Sequence, residues 1–425
     1  MKKDKVKNNL LKGLYNEKIC ELYSDADSLD ACVKRYVDAI DRFAELFEED
    51  DIFVFSAPGR IELIGNHTDH QHGQVIAASI NKDIIAVASK RNDTLVRIVS
   101  DQSDMIVADV NEIEMNPDED KTTKALIKGV LKGIEDTGFK VGGFDAYLTS
   151  DVPVGSGLSS SAAFETIIGN IVSSFYNKNT IPPEKIAVIG QFAENVFYGK
   201  PCGLMDQMAC SIGSLVYIDF SNPAEPKTEK LEFDLNALGY SLCVTDTGES
   251  HEALTAEYAA IPYEMKSVAQ ALGENFLNDV KREDFEKSIP ILREKCSDRA
   301  ILRAIHFYDE NERVMKQVRA IKRGHLGKFL KLENESGISS FNYLQNVYTF
   351  NQNNQRGLAL ALAVGEKTLA GTGAIRVHGG GFAGTILAFV PDELTGKYKK
   401  KQDEIFGEGA CSILKVRKYG GIQAI

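Results

Sequence analysis

Apolar residues recur along this chain in two spacings, one typical of strands and one typical of helices. In the first half, short apolar runs of strand length follow one another between turn residues, which is typical of antiparallel hairpins rather than of a repeated strand–helix–strand unit. The strand-like runs are 52–57, 75–80, 84–90, 95–100 and 143–151. Helical spacing covers residues 1–50 and 123–138.

From residue 157 onward, the apolar spacing predicts mainly helices, with a few strands between them. The helical patterns are 157–175, 184–198, 254–272, 297–322, 326–336 and 352–369. The strands are expected at 215–220, at 241–247 and after a Gly-rich loop within 376–390. The Pro-containing stretch SNPAEP at 221–226 is the best candidate for a boundary. We therefore expect a helical extension over 1–50, an N-terminal domain over 51–222 and a C-terminal domain over 223–425.

One stretch, VPVGSGLSSSAAFE at 152–165, predicts a loop that runs directly into a helix. Gly155 and Gly157 allow the backbone to approach a ligand closely. A helix that begins at the serines presents free N–H groups and a partial positive charge. This combination suits an anion, most often a phosphate. A Gly-Ser turn that caps a buried helix is the alternative.

The composition is that of an ordinary globular protein, with 43% apolar and 26% charged residues. No apolar run reaches the length of a membrane span, and no apolar signal core follows the basic N-terminal residues, so we expect a cytoplasmic protein without a membrane partner. The seven cysteines are scattered without a C-x-x-C pair, which disfavours a disulfide framework and a structural zinc site. A net charge of −12 disfavours a nucleic-acid partner but permits a nucleotide bound with Mg²⁺ in a local pocket.

The common phosphate-binding motifs are absent from this sequence. It has no Walker A pattern, no kinase H-R-D or D-F-G pattern, and no G-x-G-x-x-G that opens a strand–helix–strand unit. If the stretch 152–165 binds phosphate, it therefore belongs to another family of loops.

Three separated segments resemble the three motifs of the GHMP small-molecule kinases. The first, GRIELIGNHTDH at 59–70, is similar to the galactokinase signature, whose family form is close to G-R-x-N-L-I-G-E-H-T-D-Y. The second is PVGSGLSSSAA at 153–163 and the third is GGGFAG at 379–384, while CGLMDQ at 202–207 resembles the family's catalytic segment. The resemblance implies a two-domain α+β fold with mixed and antiparallel sheets and an active site in the cleft between the domains.

The resemblance assigns the reaction to two residues of these segments. Asp206 would take the proton of the substrate hydroxyl as phosphate arrives, although without the family this position indicates a helix-capping aspartate. Arg60 would keep Asp206 ionised and neutralise charge on the transferred group. The loop residues implied to hold ATP are Gly155, Ser156, Gly157, Leu158, Ser159, Ser160 and Ser161.

A magnesium ion takes one or two oxygen ligands from a protein and the rest from phosphates and water. The resemblance implies Ser161 and Glu194 as these ligands. Glu165 is the alternative, because it lies four residues after Ser161 on the same helical face. The residues alone leave both carboxylates open, and the family spacing of twelve residues from Glu194 to Asp206 favours Glu194.

For a sugar substrate, the resemblance implies a second group of residues close to the first motif. They are Asn66, His67, Asp69, Gly203 and Tyr258. A carboxylate such as Asp69 can accept hydrogen bonds from two adjacent hydroxyls, and charge-assisted bonds are the stronger kind.

The first motif departs from the galactokinase form where the sugar would lie. Asn66 stands in place of a glutamate that the family has near the C6 hydroxyl, and His70-Gln71 replaces Tyr-Asn, as in the galacturonate kinase version of the motif. Without the negative charge of that glutamate, the pocket would tolerate a carboxylate at C6. In the third motif Ala383 replaces a glycine, which is compatible with a negative φ.

The resemblance therefore implies a kinase that uses ATP and Mg²⁺ to convert D-galactose to galactose 1-phosphate, with the sugar and ATP as its partners. A kinase for a related sugar or sugar acid such as D-galacturonate is the nearest alternative. A sensor that binds galactose and ATP without turnover is the alternative from another class. The catalytic set argues for turnover, because all of its members are present: Arg60, Ser161, Glu194 and Asp206.

Overall fold

The computed structural model describes residues 1–24, 28–101, 103–153, 157–249, 254–349 and 356–425. Its strands are β1 (Phe53–Ile64), β2 (Gln74–Lys90), β3 (Leu95–Ser100), β4 (Ile106–Asp109), β5 (Phe144–Ser150), β6 (Leu215–Asp219), β7 (Lys227–Leu231), β8 (Tyr240–Asp246), β9 (Ala374–Val377), β10 (Thr385–Pro391), β11 (Cys411–Leu414) and β12 (Ile422–Gln423). Its helices are α1 (Lys3–Leu11), α2 (Asn16–Tyr23), α3 (Leu29–Leu46), α4 (Thr123–Asp136), α5 (Ser160–Asn177), α6 (Pro183–Phe192), α7 (Met205–Ile212), α8 (Thr255–Ala271), α9 (Arg282–Lys295), α10 (Asp298–Lys322), α11 (Leu326–Ser339), α12 (Gly357–Leu369) and α13 (Asp392–Phe406).

Two sheets organise the described part of the chain. Eight strands form the larger sheet, in the order β12-β1-β2-β5-β3-β4, with β6 also paired to β2 and β7 to β6. Its pairs are antiparallel except for β3 with β5. The smaller sheet has the order β11-β8-β10-β9 and is antiparallel. The predicted α+β class with mixed and antiparallel sheets is confirmed, whereas the domain boundaries stay a prediction.

The strand β2 is longer than the sequence pattern predicted. The expected strands at 75–80 and 84–90 are one strand, because the polar residues 81–83 continue it instead of ending it. It pairs with β1 on both sides of this point, with Asp83 opposite Pro58 and Ser79 opposite Arg60, and the register shifts between these two pairs. Asp83 can stay in the strand although it is buried, because side chains from other segments bind its carboxylate.

Both faces of the larger sheet are covered, which explains the nearly continuous apolar runs of its central strands. Alternate residues of a strand point to opposite faces. On β2, Ala86 and Ala88 lie in the core that the sheet forms with α4, α5 and α6. Ile85 and Val87 lie in a second core, where Tyr36 of α3 is among the helical residues packed on the sheet. The N-terminal helices are therefore part of the folded body.

Helices α9 and α13 were not predicted from the apolar spacing. Each buries only a few side chains, such as Phe285 and Leu292 of α9, so their surfaces carry little helical apolar periodicity. In the described part of the chain, no helix combines the length and apolar character needed to cross a bilayer.

A buried ion cluster joins the N-terminal helices to the last part of the chain. The Asp83 carboxylate is bound by Arg35 at 2.6 Å, by Arg417 at 3.0 Å and by the Tyr23 hydroxyl at 2.8 Å. The Ser56 hydroxyl of β1 donates to the same carboxylate. Burial alone would raise the pKa of Asp83, but the two guanidinium groups outweigh it and lower this pKa below its usual value.

We expect Asp83→Asn to lower the free energy of unfolding by about 3 kcal/mol, because it leaves two guanidinium groups without their buried carboxylate. Urea unfolding followed by circular dichroism measures this change. Asp151→Asn is the matched control: Asp151 lies 2.8 Å from Arg35, but its side chain is half exposed. The control should lose less than about 1 kcal/mol. Equal losses in the two variants would contradict the central role of the buried cluster.

Candidate active site

The first and second motifs meet around Arg60 of β1, and the first contact is made by backbone atoms. A Cβ at position 59 would collide with the carbonyl of Leu158, so Gly59 lets the loop before α5 lie directly on β1. The Arg60 N–H donates to the Leu158 carbonyl at 3.0 Å. The Arg60 guanidinium donates to the carbonyl of Gly157.

Arg60 also holds Asp206, which lies in the first turn of α7. Its Nε is 2.7 Å from Oδ1 and its Nη2 is 2.6 Å from Oδ2. The Ser159 hydroxyl donates to the same carboxylate. Burial raises the pKa of Asp206, but the charge of Arg60 and these hydrogen bonds outweigh it, so this pKa lies below its usual value. Asp206 is therefore an ionised carboxylate at neutral pH.

Helix α5 begins at Ser160, within the stretch 152–165 that the sequence predicts to bind phosphate. Ser159 precedes the helix with a φ of 62°, and in the described part of the chain its hydroxyl binds Asp206 rather than an N–H of the helix. The first turn of α5 carries no acidic residue, so its N–H groups present a partial positive charge. The predicted loop residues Gly155 and Ser156 lie outside the described residues.

Ser161, Glu165 and Glu194 come together next to this helix end. The Ser161 hydroxyl donates to Glu194 Oε1 at 3.2 Å. Glu194 lies in a single π turn, Ala193–Phe197, which continues α6. Gln207 joins the two carboxylates, because its Nε2 donates to Glu165 at 3.1 Å and to Glu194 at 2.9 Å.

The two carboxylates differ in their partners. Lys200 binds Glu194 Oε1 at 2.9 Å, whereas Oε1 of Glu165 is buried and has no hydrogen-bond partner among the described residues. Burial and the neighbouring charge of Glu194 raise the pKa of Glu165 well above its usual value. No group of three or more His, Cys, Asp or Glu side chains in the described ranges has the arrangement of a metal site. The oxygens of Ser161, Glu165 and Glu194 are nevertheless of the kind that Mg²⁺ accepts in ones and twos.

Asp69 lies close to this site and packs against Gly203. A Cβ on Gly203 would collide with the Asp69 carboxylate, so the glycine is what leaves room for it. Oδ1 of Asp69 accepts a hydrogen bond from the backbone N–H of His70 at 2.9 Å. Burial, followed by the negative charge of Asp206, raises the pKa of Asp69 to about 6.

The other residues assigned to a sugar contact the third motif in this structure. Asn66 Nδ2 donates to the Gly379 carbonyl at 2.7 Å, and His67 Nε2 donates to the Gly380 carbonyl at 3.0 Å. The Tyr258 hydroxyl donates to the Gly381 carbonyl at 2.5 Å. Three successive carbonyls of the third motif are thus each held by a side chain from another segment.

The third motif also lies beside the loop before α5, which is the predicted phosphate loop. A Cβ on Gly379 would be 4.0 Å from the Gly157 carbonyl, and one on Gly157 would be 3.1 Å from Thr385. Among the non-glycine residues with positive φ, Phe382 of this motif has a φ of 57°, whereas Ala383 is not one of them. The alanine is therefore accommodated as expected.

Sequence reasoning missed several polar residues of this site. Gln207 and Lys200 contact Glu194, and Arg376 binds Glu62 of the first motif at 2.9 Å. A signal existed for two of them, because Gln207 follows Asp206 directly and Arg376 precedes the third motif by three residues.

Comparisons with known proteins identify relatives of this chain. A family model described as the galactokinase galactose-binding signature matches residues 41–90, and one described as the GHMP kinases N terminal domain matches residues 125–214. The chain is similar to a galactokinase of Limosilactobacillus reuteri (strain DSM 20016), with 30% identity over 380 residues that cover 86% of this chain and 92% of the relative. It is also similar to a galactokinase of Streptomyces coelicolor, with 32% identity over 287 residues that cover 67% and 73%.

Solved structures share the fold. The Lactococcus lactis galactokinase complexed with galactose has a TM-score of 0.77 at 24% identity, covering 90% of this chain and 98% of that one. The Methanococcus jannaschii mevalonate kinase has a TM-score of 0.61 at 16% identity, covering 86% and 98%. The predicted two-domain GHMP kinase fold is therefore confirmed.

We expect Arg60→Met to raise the pKa of Asp206 above its usual value, because burial then acts without the opposing positive charge. Titration of the ¹³C carboxyl resonances, assigned with Asp206→Asn, measures this pKa. Ser159→Gly keeps the left-handed backbone and removes only the hydroxyl, so it should cause a smaller rise. If the pKa of Asp206 stays below its usual value in Arg60→Met, Arg60 is not what holds this carboxylate ionised.

Proposed function

The chain belongs to the galactokinase family, and from this premise we propose that it transfers the γ-phosphoryl group of ATP to the anomeric hydroxyl of D-galactose, forming galactose 1-phosphate. The observation that carries the proposal is the Arg60–Asp206 pair, with both oxygens of the carboxylate bound, beside the N-terminus of α5. This pair supports a role for Asp206 at the reacting hydroxyl, next to the phosphates that the loop before α5 would hold. We also propose that the enzyme works in the cytoplasm, where ATP is available.

Asp206 and Arg60 share the work at the reacting hydroxyl. As the bond from the anomeric oxygen to the γ-phosphorus forms and the bond to the leaving oxygen of ADP breaks, the hydroxyl proton passes to the Asp206 carboxylate. The lowered pKa of Asp206 makes it a weak base, which suits a loose transition state in which the proton leaves late. Arg60 offsets the charge that develops on the transferred group.

The N-terminus of α5 would receive the phosphates of ATP. Its first-turn N–H groups act as donors that need no reorganisation during the reaction. In this proposal the loop residues from Gly155 to Ser161 surround the phosphates, with the backbone of Gly157 held in place by Arg60.

Asp69 is the proposed acceptor for hydroxyls of the sugar. It stands beside Gly203, and its pKa is influenced by Asp206, which puts the two carboxylates within electrostatic reach of each other. We propose that His67 and Tyr258 complete the wall of the sugar site together with the carbonyls of the third motif that they hold. Asn66, which is completely buried, supports this wall from behind through the Gly379 carbonyl.

The carboxylates beside Ser161 fit a magnesium ion. Oε1 of Glu165 is buried without a partner among the described residues, and Glu194 Oε1 is within hydrogen-bond distance of the Ser161 hydroxyl. A divalent cation here would favour the ionised form of Glu165, whose pKa burial and the charge of Glu194 otherwise raise. We propose Ser161 and Glu194 as its ligands and Glu165 as a supporting charge. When bound, the ion would neutralise charge on the phosphates of ATP.

A panel of sugars tests the substrate. We expect the purified protein with ATP and Mg²⁺ to phosphorylate D-galactose, and ³¹P NMR of the product identifies the phosphorylated position. A higher kcat/KM on D-galacturonate would move the assignment to the sugar acid. ATP and galactose binding without turnover on any sugar of the panel would identify a sensor instead.

Replacement of Asp206 tests the assigned base. We expect Asp206→Asn to lower kcat by about 10²- to 10⁴-fold, because the carboxylate that accepts the proton is gone. Galactose binding, measured by isothermal titration calorimetry, should persist as the control, since asparagine has the same shape. A variant that keeps the kcat of the wild type would contradict the role of Asp206.

Two isosteric variants test the magnesium ligand. We expect Glu194→Gln to raise the Mg²⁺ concentration for half-maximal activity at least tenfold, and Glu165→Gln to raise it less, because only Glu194 is the proposed ligand. Lys200→Gln is the control for loss of the 2.9 Å ion pair with Glu194, and it should not raise the Mg²⁺ requirement. A larger effect of Glu165→Gln would reassign the ligand to Glu165.

A further inference from the structure

Glu62 and Asn66 exchange the residue types that the galactokinase form has at these two positions. The form G-R-x-N-L-I-G-E has asparagine where this chain has Glu62 and glutamate where it has Asn66. In the structure the two side chains touch: Asn66 Nδ2 lies 3.0 and 3.3 Å from the carboxylate oxygens of Glu62. The exchange therefore leaves the pair with one carboxylate and one amide, and in this structure these two groups are in contact.

Glu62 is tied to the segment that leads into the third motif. Its buried carboxylate accepts a hydrogen bond from Arg376 at 2.9 Å, and its backbone N–H donates to His378 Nε2 at 3.1 Å. Arg376 is completely buried and also donates to the carbonyl of Leu63. A buried guanidinium needs its carboxylate, so this pair fixes β9 against β1.

Both the nitrogen and the oxygen of the Asn66 side-chain amide are bound by protein groups. Besides Glu62, its Nδ2 donates to the Gly379 carbonyl at 2.7 Å. Its Oδ1 accepts hydrogen bonds from Asn346 at 2.8 Å and from Ser340 at 3.3 Å. The side chain is completely buried. Asn66 thus acts on the third motif through Gly379.

We propose that Glu62, Asn66 and Arg376 form a clamp that positions the third motif beside the phosphate loop and Arg60. Glu62 stands two residues after Arg60 on β1, so the two side chains share a face of the strand. At the other end of the clamp, Gly379 lies next to Gly157, whose carbonyl Arg60 also binds. These three are positioning residues, and a shift of the clamp would move the phosphate loop relative to Asp206.

The exchange makes a double-mutant cycle possible. Asn66→Glu alone places two carboxylates against one guanidinium, and Glu62→Asn alone leaves Arg376 without its carboxylate, so each should lower kcat at least tenfold. The double variant Glu62→Asn with Asn66→Glu restores one carboxylate and one amide for Arg376, while the Gly379 carbonyl still lacks its donor, so we expect the recovery to be partial. We expect it to recover at least tenfold in kcat over the worse single variant and to melt at a higher temperature than that variant.

A conservative variant keeps the test decisive if the exchanged chains fold poorly. Glu62→Gln keeps the shape of the side chain and removes its charge, and we expect it to lower kcat at least tenfold with a change in the KM for galactose of less than threefold. Glu333→Gln is the matched control, because Glu333 is equally buried and burial raises its pKa to about 8, so it is mostly protonated at pH 7. The control should keep the kcat of the wild type.

The outcomes separate this inference from the proposed function, on which its kinetic readout rests. An inactive wild-type protein would count against the function, while the melting temperatures of the four chains in the cycle would still measure the clamp. A wild-type kcat in folded Glu62→Gln would overturn the clamp. A double variant that is no better than the worse single variant in both kcat and melting temperature would overturn it as well.

Discussion

The rest of the site depends on the contacts that the buried Arg60 guanidinium makes. This guanidinium binds the carbonyl of Gly157 and both oxygens of Asp206, which come from segments 97 and 146 residues further along the chain. A guanidinium carries its donors in a fixed plane and does not lose its proton, so its acceptors must lie at defined positions. The phosphate loop and α7 therefore dock on β1 in one arrangement. The missing Cβ of Gly59 removes the steric obstacle to this arrangement.

The parts of the fold that could be predicted from sequence are those whose information is local. The apolar residues of α4 recur at helical spacing, and those of β3 follow one another within six residues. A short window of sequence contains each of these patterns. The continuity of β2 could not be predicted in this way. Its polar residue Asp83 is held by Arg35 and Arg417, which are 48 and 334 residues away, so no window contains the charges that allow it to be buried.

The candidate site also has residues that sequence motifs identify and partners that only the structure shows. The motifs identified Arg60 and Asp206, and the structure brings the two together. The residues alone left the choice between Glu165 and Glu194 open. In the structure Ser161 binds Glu194, and Gln207, a residue that helical spacing does not single out, binds both carboxylates. The partners of Asn66 were beyond sequence reasoning, because Gly379 and Asn346 lie 313 and 280 residues away.

The order in which the larger sheet can be completed follows from its strand pairing. The strand β1 lies between β2 and β12, and β12 comes from the last residues of the chain. During synthesis at roughly 5–20 residues per second, about 20 to 70 seconds pass between the appearance of Asp83 and that of Arg417. Throughout that interval Phe55 and Ser56 of β1 lack their partners in β12, and an unpaired strand edge can pair with other chains. A nascent chain that already contains β1 is therefore exposed to misassembly at this edge until the partner residues of β12 have been made.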